Sequence, residues 1–165
     1  MTLQNFISYV DYMMNTTEHL FQQIPPDNID WKPTESSFAI GQQMAHMVEA
    51  VELFSRGITE GDWGYATIRE RFLKNRHTPT ITVEEALARL KEHRATFNRR
   101  IGALSEEQFR NGEIIAPNLG AGTFPRWRVA LLFIEHHLDH KTELFMYLKL
   151  LGVKVNSGHL YRGPS

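Results

Sequence analysis

The chain of 165 residues contains no cysteine. Disulfides, thiolate-ligated zinc and a cysteine nucleophile are therefore excluded, and any metal site has to be built from His, Asp and Glu. Net charge is almost missing too: 18 Lys and Arg stand against 19 Asp and Glu, for a formal charge of −1. Such a balance gives no overall basic field to draw nucleic acid or anionic lipid, so neither is expected as a partner. Nowhere do about 18 apolar residues run uninterrupted, and the N-terminus has no cationic segment leading into an apolar one. These absences predict a cytoplasmic chain that neither spans a membrane nor is exported. Period-two alternation is also missing, so no strand is expected.

What the chain does have is 42% hydrophobic and 11% aromatic content, enough for one domain, residues 1–165, with a sizeable core. Apolar residues recur at helical spacing in four long stretches. The first runs from Leu3 to about Ile24 through Phe6, Val10, Met13, Met14 and Phe21, and Pro25-Pro26 stops it. The second is expected over about 36–56, through Ile40, Met44, Met47, Val48, Val51 and Phe54. The third opens on a capping box of Thr82 and Glu85 and keeps its spacing through Leu90, Phe97, Ile101 and Leu104. After a second capping box, Ser105 with Gln108, and a glycine-rich loop at 118–122, the fourth is expected from near Thr123 to Leu150, closed by Gly152. The expected fold is all-α, a four-helix bundle. Its long crossover at 57–81 would let the second and third helices run parallel.

Two histidines, His136 and His140, interrupt the stripe of Val129, Phe133, Leu144, Tyr147 and Leu151 on the fourth helix. At about 100° per residue they lie within about 40° of each other, at the centre of the stripe. Paired imidazoles in an apolar seam need partners, and a shared metal ion is one explanation while hydrogen-bonded core histidines are another. Residues four apart share a face, so both rings can converge on one ion. His46 on the second helix, in line with Ala39, Gln43 and Ala50, can meet them across the bundle, because alanine lets a facing helix approach closely. His137 with His140 is a rival pair, but His137 lies further round the wheel and is expected near the ligands or at the surface. Glu143, three residues after His140, is placed to accept a hydrogen bond from a ligand's second ring nitrogen.

Other features carry less chemistry. The basic stretch of Arg69, Arg71, Lys74, Arg76 and His77, with Phe72 inside it, is interrupted by Glu70 and reads as a solvated helix face. Gly120-Ala121-Gly122 lacks a preceding strand and the full glycine spacing of a phosphate cradle, and reads as a flexible loop. The methionines, together with His19, His77, His93 and His159, read as structural. Trp63, Tyr65, Arg126 and Trp127 are candidates to line a pocket, with packing as the competing role. The tail from Asn156 to Ser165 is polar and loosely ordered by composition.

Trp31-Lys32-Pro33 leading into Ser37-Phe38-Ala39-Ile40-Gly41-Gln42-Gln43-Met44-Ala45-His46-Met47 resembles the opening half of the DinB-like (DNA-damage-inducible, YfiT-like) family. His136-His137-Leu138-Asp139-His140-Lys141, running on to Leu150-Leu151-Gly152, resembles its closing half. The resemblance covers nearly the whole chain. It implies a divalent metal, zinc or nickel, held by His46, His136 and His140, and a homodimer. Lys141-Thr142-Glu143 stands where the family usually has Arg-Gly-Gln, which puts a charge where a neutral amide is usual.

Three neutral imidazoles leave a metal its full charge and an open position. The family resemblance implies a transferase dependent on a low-molecular-weight thiol, acting on a small-molecule substrate. The alternatives are a hydrolase using metal-bound hydroxide, helped by Glu143, Glu49 or Asp139, and a non-catalytic metal-binding dimer.

Overall fold

A computed structural model describes residues 1–75 and 77–162. Arg76 of the basic stretch and Gly163 and Pro164 of the tail lie outside the described residues, as do the side chains of Phe72 and Lys74. Four long helices form the body: α1 (Leu3–Phe21), α2 (Ile40–Glu60), α4 (Val83–Gly102) and α6 (Arg126–Leu150). Three shorter ones, α3 (Ile68–Asn75), α5 (Glu106–Asn111) and α7 (Ser157–Tyr161), attach to it. Among the described residues, no helix is long and apolar enough to cross a membrane.

Local chemistry sets the ends. The Asn5 amide donates to the Thr2 hydroxyl at the start of α1. Thr82 and Glu85, and Ser105 and Gln108, form the two reciprocal caps anticipated from their spacing. At the end of α6, Gly152 has φ +79, a conformation open to a residue without a Cβ. There the amides of Gly152 and Val153 donate back to the carbonyls of Lys149 and Leu148, which is the Schellman arrangement.

Pairings along the helices give the topology. Gly41 meets Ile81, Glu49 meets Arg89 and Glu60 meets Arg100, so the numbers rise together and α2 and α4 run parallel. Gln43 meets His140 whereas Ile58 meets Arg126, so α6 is antiparallel to α2. Leu3 meets Glu106 and Asp11 meets Arg94, which makes α1 antiparallel to α4. The connection between α2 and α4 that permits the parallel pair contains α3. Aromatic rings fill the centre: Phe97 and Phe54 lie 5.1 Å and 5.2 Å from Phe133, and Phe6 stacks on Phe109 at 5.4 Å.

Three expectations are corrected. The second helix starts at Ile40 rather than near Ser36, because Thr34 and Ser37 are joined by their hydroxyls in a turn, 2.7 Å apart. The fourth long helix starts at Arg126, not Thr123, because Thr123–Pro125 is a strand paired antiparallel with Glu113–Ile115. Each strand is only three residues long, too short for alternation to register in the sequence. The segment around Gly120 and Gly122 is thus the turn of a hairpin. That hairpin matters to the site, since the Ile115 carbonyl accepts from the Trp63 indole at 2.7 Å. Trp63 in turn lies flat against Gly57, where an added Cβ would sit 2.5 Å from the indole ring.

Candidate metal centre

His46, from the middle of α2, faces His136 and His140, one turn apart on α6. Ring centroids are 5.1 Å and 4.6 Å from His46, and 4.5 Å between the α6 pair. One nitrogen from each ring lies within 4.8 Å of the other two, a group able to hold a metal ion. Ala50, one turn after His46 on α2, is buried and lines the cavity beside His46 and His136, where it adds little bulk.

Burial, the repulsion of the neighbouring His140 and the nearby Arg71 charge push His46 down to about 3. The same causes, burial first, push His136 down to about 2. Both rings are therefore neutral near pH 7 and offer lone pairs. Among the described residues, the buried Nε2 of His136 has no hydrogen-bond partner. Left unsatisfied, such an atom costs about 1–3 kcal/mol, and a cation supplies the missing interaction. The donor set fits a borderline divalent ion such as zinc or nickel.

Glu143 orients the third ring. Its Oε2 lies 2.7 Å from His140 Nδ1 and also accepts from the Gln43 side-chain amide at 2.7 Å. Gln43 Nε2 and His140 Nδ1 are themselves 2.9 Å apart, but both point at one carboxylate oxygen. We therefore assign both as donors to Glu143, which places the proton on Nδ1 and leaves His140 Nε2 free to coordinate. Gln43 lies one turn before His46 and was not singled out by motif; its position on the same helix line is the signal that marks it. Phe38, 5.5 Å from the His46 ring, closes one side.

His137 corrects the sequence expectation. It is 1% exposed and belongs to the core rather than the surface. The buried stripe of α6 runs through Val129, Phe133, His137, Lys141, Leu144 and Leu148, while Tyr147 and Leu151 are only partly buried. The Thr17 hydroxyl donates to the Met13 carbonyl at 2.9 Å, so it accepts from His137 Nε2 at 2.8 Å. Lys141 donates to the Thr16 hydroxyl at 2.8 Å and to the Leu160 carbonyl at 2.9 Å, pinning α7 against the bundle.

The cluster opens on a cavity of about 240 Å³ whose walls include His46, His136, Leu53, Trp63, Tyr65 and Arg71. Trp63 and Tyr65 thus line the pocket. Arg126 instead caps α2, donating to the carbonyls of Ile58 and Thr59 at 3.0 Å and 3.4 Å, and Trp127 is 41% exposed elsewhere. Arg71 was assigned to a solvated face; it is turned to the cavity. Of the carboxylates proposed for hydrolysis, Glu49 lines the cavity and pairs with Arg89 at 3.1 Å, and Asp139 is exposed.

Comparison with known proteins agrees with the fold. The uncharacterized protein YjoA of Bacillus subtilis (strain 168) is 26% identical over 142 residues, covering 84% of this chain and 83% of YjoA. The crystal structure of that DinB-like protein superposes with a TM-score of 0.71 at 23% identity, covering 96% of this chain and 99% of the other. A candidate DinB-family member from Exiguobacterium sibiricum 255-15 gives a TM-score of 0.67 at 21% identity, covering 93% and 94%. These likenesses are to the fold. The family model for DinB matches residues 1–161, nearly the whole chain, and on that match the chain belongs to the DinB family.

Proposed function

We propose that this protein is a divalent-metal-dependent enzyme acting on a small molecule, and that its reaction is transfer of a low-molecular-weight thiol to an electrophile. The observation that carries the reading is a trio of convergent imidazoles, two of which, His46 and His136, are held neutral and line a cavity, with the buried His136 Nε2 lacking a partner among the described residues. A structural zinc is normally closed by four protein ligands. Among the described residues the cluster has three, and it faces open space. His46, His136 and His140 would hold zinc or nickel, which when bound supplies Lewis acidity that lowers the pKa of a thiol or water beside it.

The chain's own residues do the rest. Glu143 and Gln43 fix the His140 ring, while Leu53, Ala50 and Trp63 give the cavity an apolar side that restricts water. In the transfer, the thiol sulfur bonds to the electrophilic carbon, the bond from that carbon to its leaving group breaks with its electron pair, and solvent takes the thiol proton. The absence of cysteine is compatible with this chemistry because the small molecule brings the sulfur. One observation favours hydrolysis as the second reading: the Glu49 carboxylate lines the same cavity.

The test uses the protein substituted with cobalt. The expected result is about one equivalent bound, with 2-mercaptoethanol producing a sulfur-to-cobalt charge-transfer band. A cobalt protein whose spectrum ignores thiols turns the reading to hydrolysis. Failure to take up cobalt, zinc or nickel overturns the metal-dependent reading altogether.

A further inference from the structure

Arg71 on α3 projects into the cavity beside the histidine cluster, and the charges around it are unevenly satisfied. Glu49 is paired with Arg89 at 3.1 Å, and Glu52 lies 3.5 Å from Arg56 and 3.7 Å from Arg100. Arg56 also pairs with Asp62 at 2.9 Å. Among the described residues no carboxylate pairs with Arg71. Its protein partner is the hydroxyl of Tyr65, which is itself held by the Asn118 side chain at 2.9 Å.

We propose that Arg71, oriented by the Tyr65 hydroxyl, forms a carboxylate-binding subsite, and that the small molecule taken into this cavity is a compact acid with a short apolar or aromatic body. The proposal rests on the reading of this cavity as the substrate side of the cluster. Three features support the chemistry. A guanidinium fork matches a carboxylate with two parallel hydrogen bonds, whereas a phosphate dianion would call for further cationic donors. Leu53, Ala50 and Trp63 offer an apolar wall for the body of the ligand, and the cavity of about 240 Å³ suits a molecule of that size. A fixed cation close to a centre that holds a divalent ion is repulsive, and an anion lying between them removes the repulsion.

Phenylacetate and its neutral isostere phenylacetamide serve as probes, titrated by ligand-observed NMR into metal-free and zinc-loaded protein. Phenylacetate should bind about tenfold more tightly than phenylacetamide in the wild type, in both metal states, as expected for one charge-assisted pair. Arg71→Met should abolish that preference, bringing phenylacetate down to the affinity of phenylacetamide. Arg71→Lys, which keeps the charge and loses the fork, should fall between. Thermal unfolding of each variant verifies that it is folded. Equal affinities in the wild type, no binding of either probe, or a preference that survives in Arg71→Met would overturn the proposal. A preference confined to the zinc-loaded protein would do so too, because it would belong to the ion. Failure of zinc to bind would sink the metal-dependent reading alone, since the metal-free titration still decides the role of Arg71.

Discussion

Helix α6 carries two pairs of residues four apart, His136 with His140 and His137 with Lys141, turned to neighbouring faces of the same helix. The pairs differ in what meets them. His137 and Lys141 find hydroxyls on α1: Thr17 and Thr16 each spend their proton on the Met13 carbonyl and keep a lone pair for the incoming N–H. His136 and His140 find another imidazole, His46, and a cavity. Burial is therefore a poor guide to which polar group is functional. The more buried pair is the one whose N–H donors are met by hydroxyls of the fold, although His137 Nδ1 has no partner among the described residues; the less buried pair turns to a third imidazole and a cavity, with His136 Nε2 unpartnered among the described residues.

Alanine substitutions on the two faces give the largest expected contrast. His136→Ala removes a ligand atom, so retained zinc should fall by more than about 100-fold in affinity, beyond the 10–100-fold typical of losing a residue that only orients a ligand. The same variant should cost the metal-free fold less, because the His136 ring is only partly buried and, among the described residues, its Nε2 has no hydrogen-bond partner to lose. His137→Ala should do the reverse, keeping near one equivalent of metal while destabilising the fold by about 2 kcal/mol or more through a cavity and an unmet hydroxyl acceptor. Metal analysis and denaturant unfolding of both variants check this. Metal loss from His137→Ala with stability intact would erase the distinction between the faces.

The clustered histidines were legible because the spacing of four on α6 and the small residues around His46 are properties of single helices. The buried pair was not, for a physical reason. The expected stripe was centred using Tyr147 and Leu151, both only partly buried, and lysine is seldom buried without a partner. The partners that make it tolerable, Thr16 and Thr17, sit on α1, and periodicity within α6 carries no record of them. The hairpin escaped for want of length, and Arg71 because a basic run reads as solvated unless the crossover is known to fold back over the cluster. The four long helices, by contrast, were signalled by stripes and caps that need only local chemistry.

Titration separates the faces next. His46, His136 and His137 are held neutral in the folded chain, near 3, 2 and 3, against about 6.5 when unfolded. The unfolded chain then binds more protons than the folded one below pH 6.5, so their stabilisation is present above that pH and is lost as pH falls toward 3. In metal-free His136→Leu, the slope of unfolding free energy over that window should drop by up to about 1.4 kcal/mol per pH unit. Lys141 acts at the other end: burial pushes it down to about 8 from 10.5. Its penalty is full below pH 8 and is relieved as pH rises toward 10.5, so Lys141→Met should lose the rise in stability that the wild type shows above pH 8. Identical alkaline profiles for the two proteins would mean that the Lys141 amine is not desolvated as the fold requires.

The smallest expected effect bears most directly on how the open face works. Glu143 is the charged residue standing where the DinB resemblance implies a neutral amide, and its carboxylate accepts from both His140 Nδ1 and the Gln43 amide. A carboxylate there raises the basicity of the opposite nitrogen, and with it the affinity for a cation. Glu143→Gln preserves shape and removes the charge, so zinc affinity should weaken by about tenfold, the low end for an orienting residue, with no change in stability of the metal-free protein. Gln43→Leu should have a similar but lesser effect, since His140 keeps its own bond to Glu143. If Glu143→Gln instead binds zinc as tightly as the wild type, the hydrogen bond to His140 sets only the ring's orientation, which a side-chain amide oxygen does equally well. Competition with a chelator of known affinity distinguishes the two outcomes, because a tenfold change is about 1.4 kcal/mol.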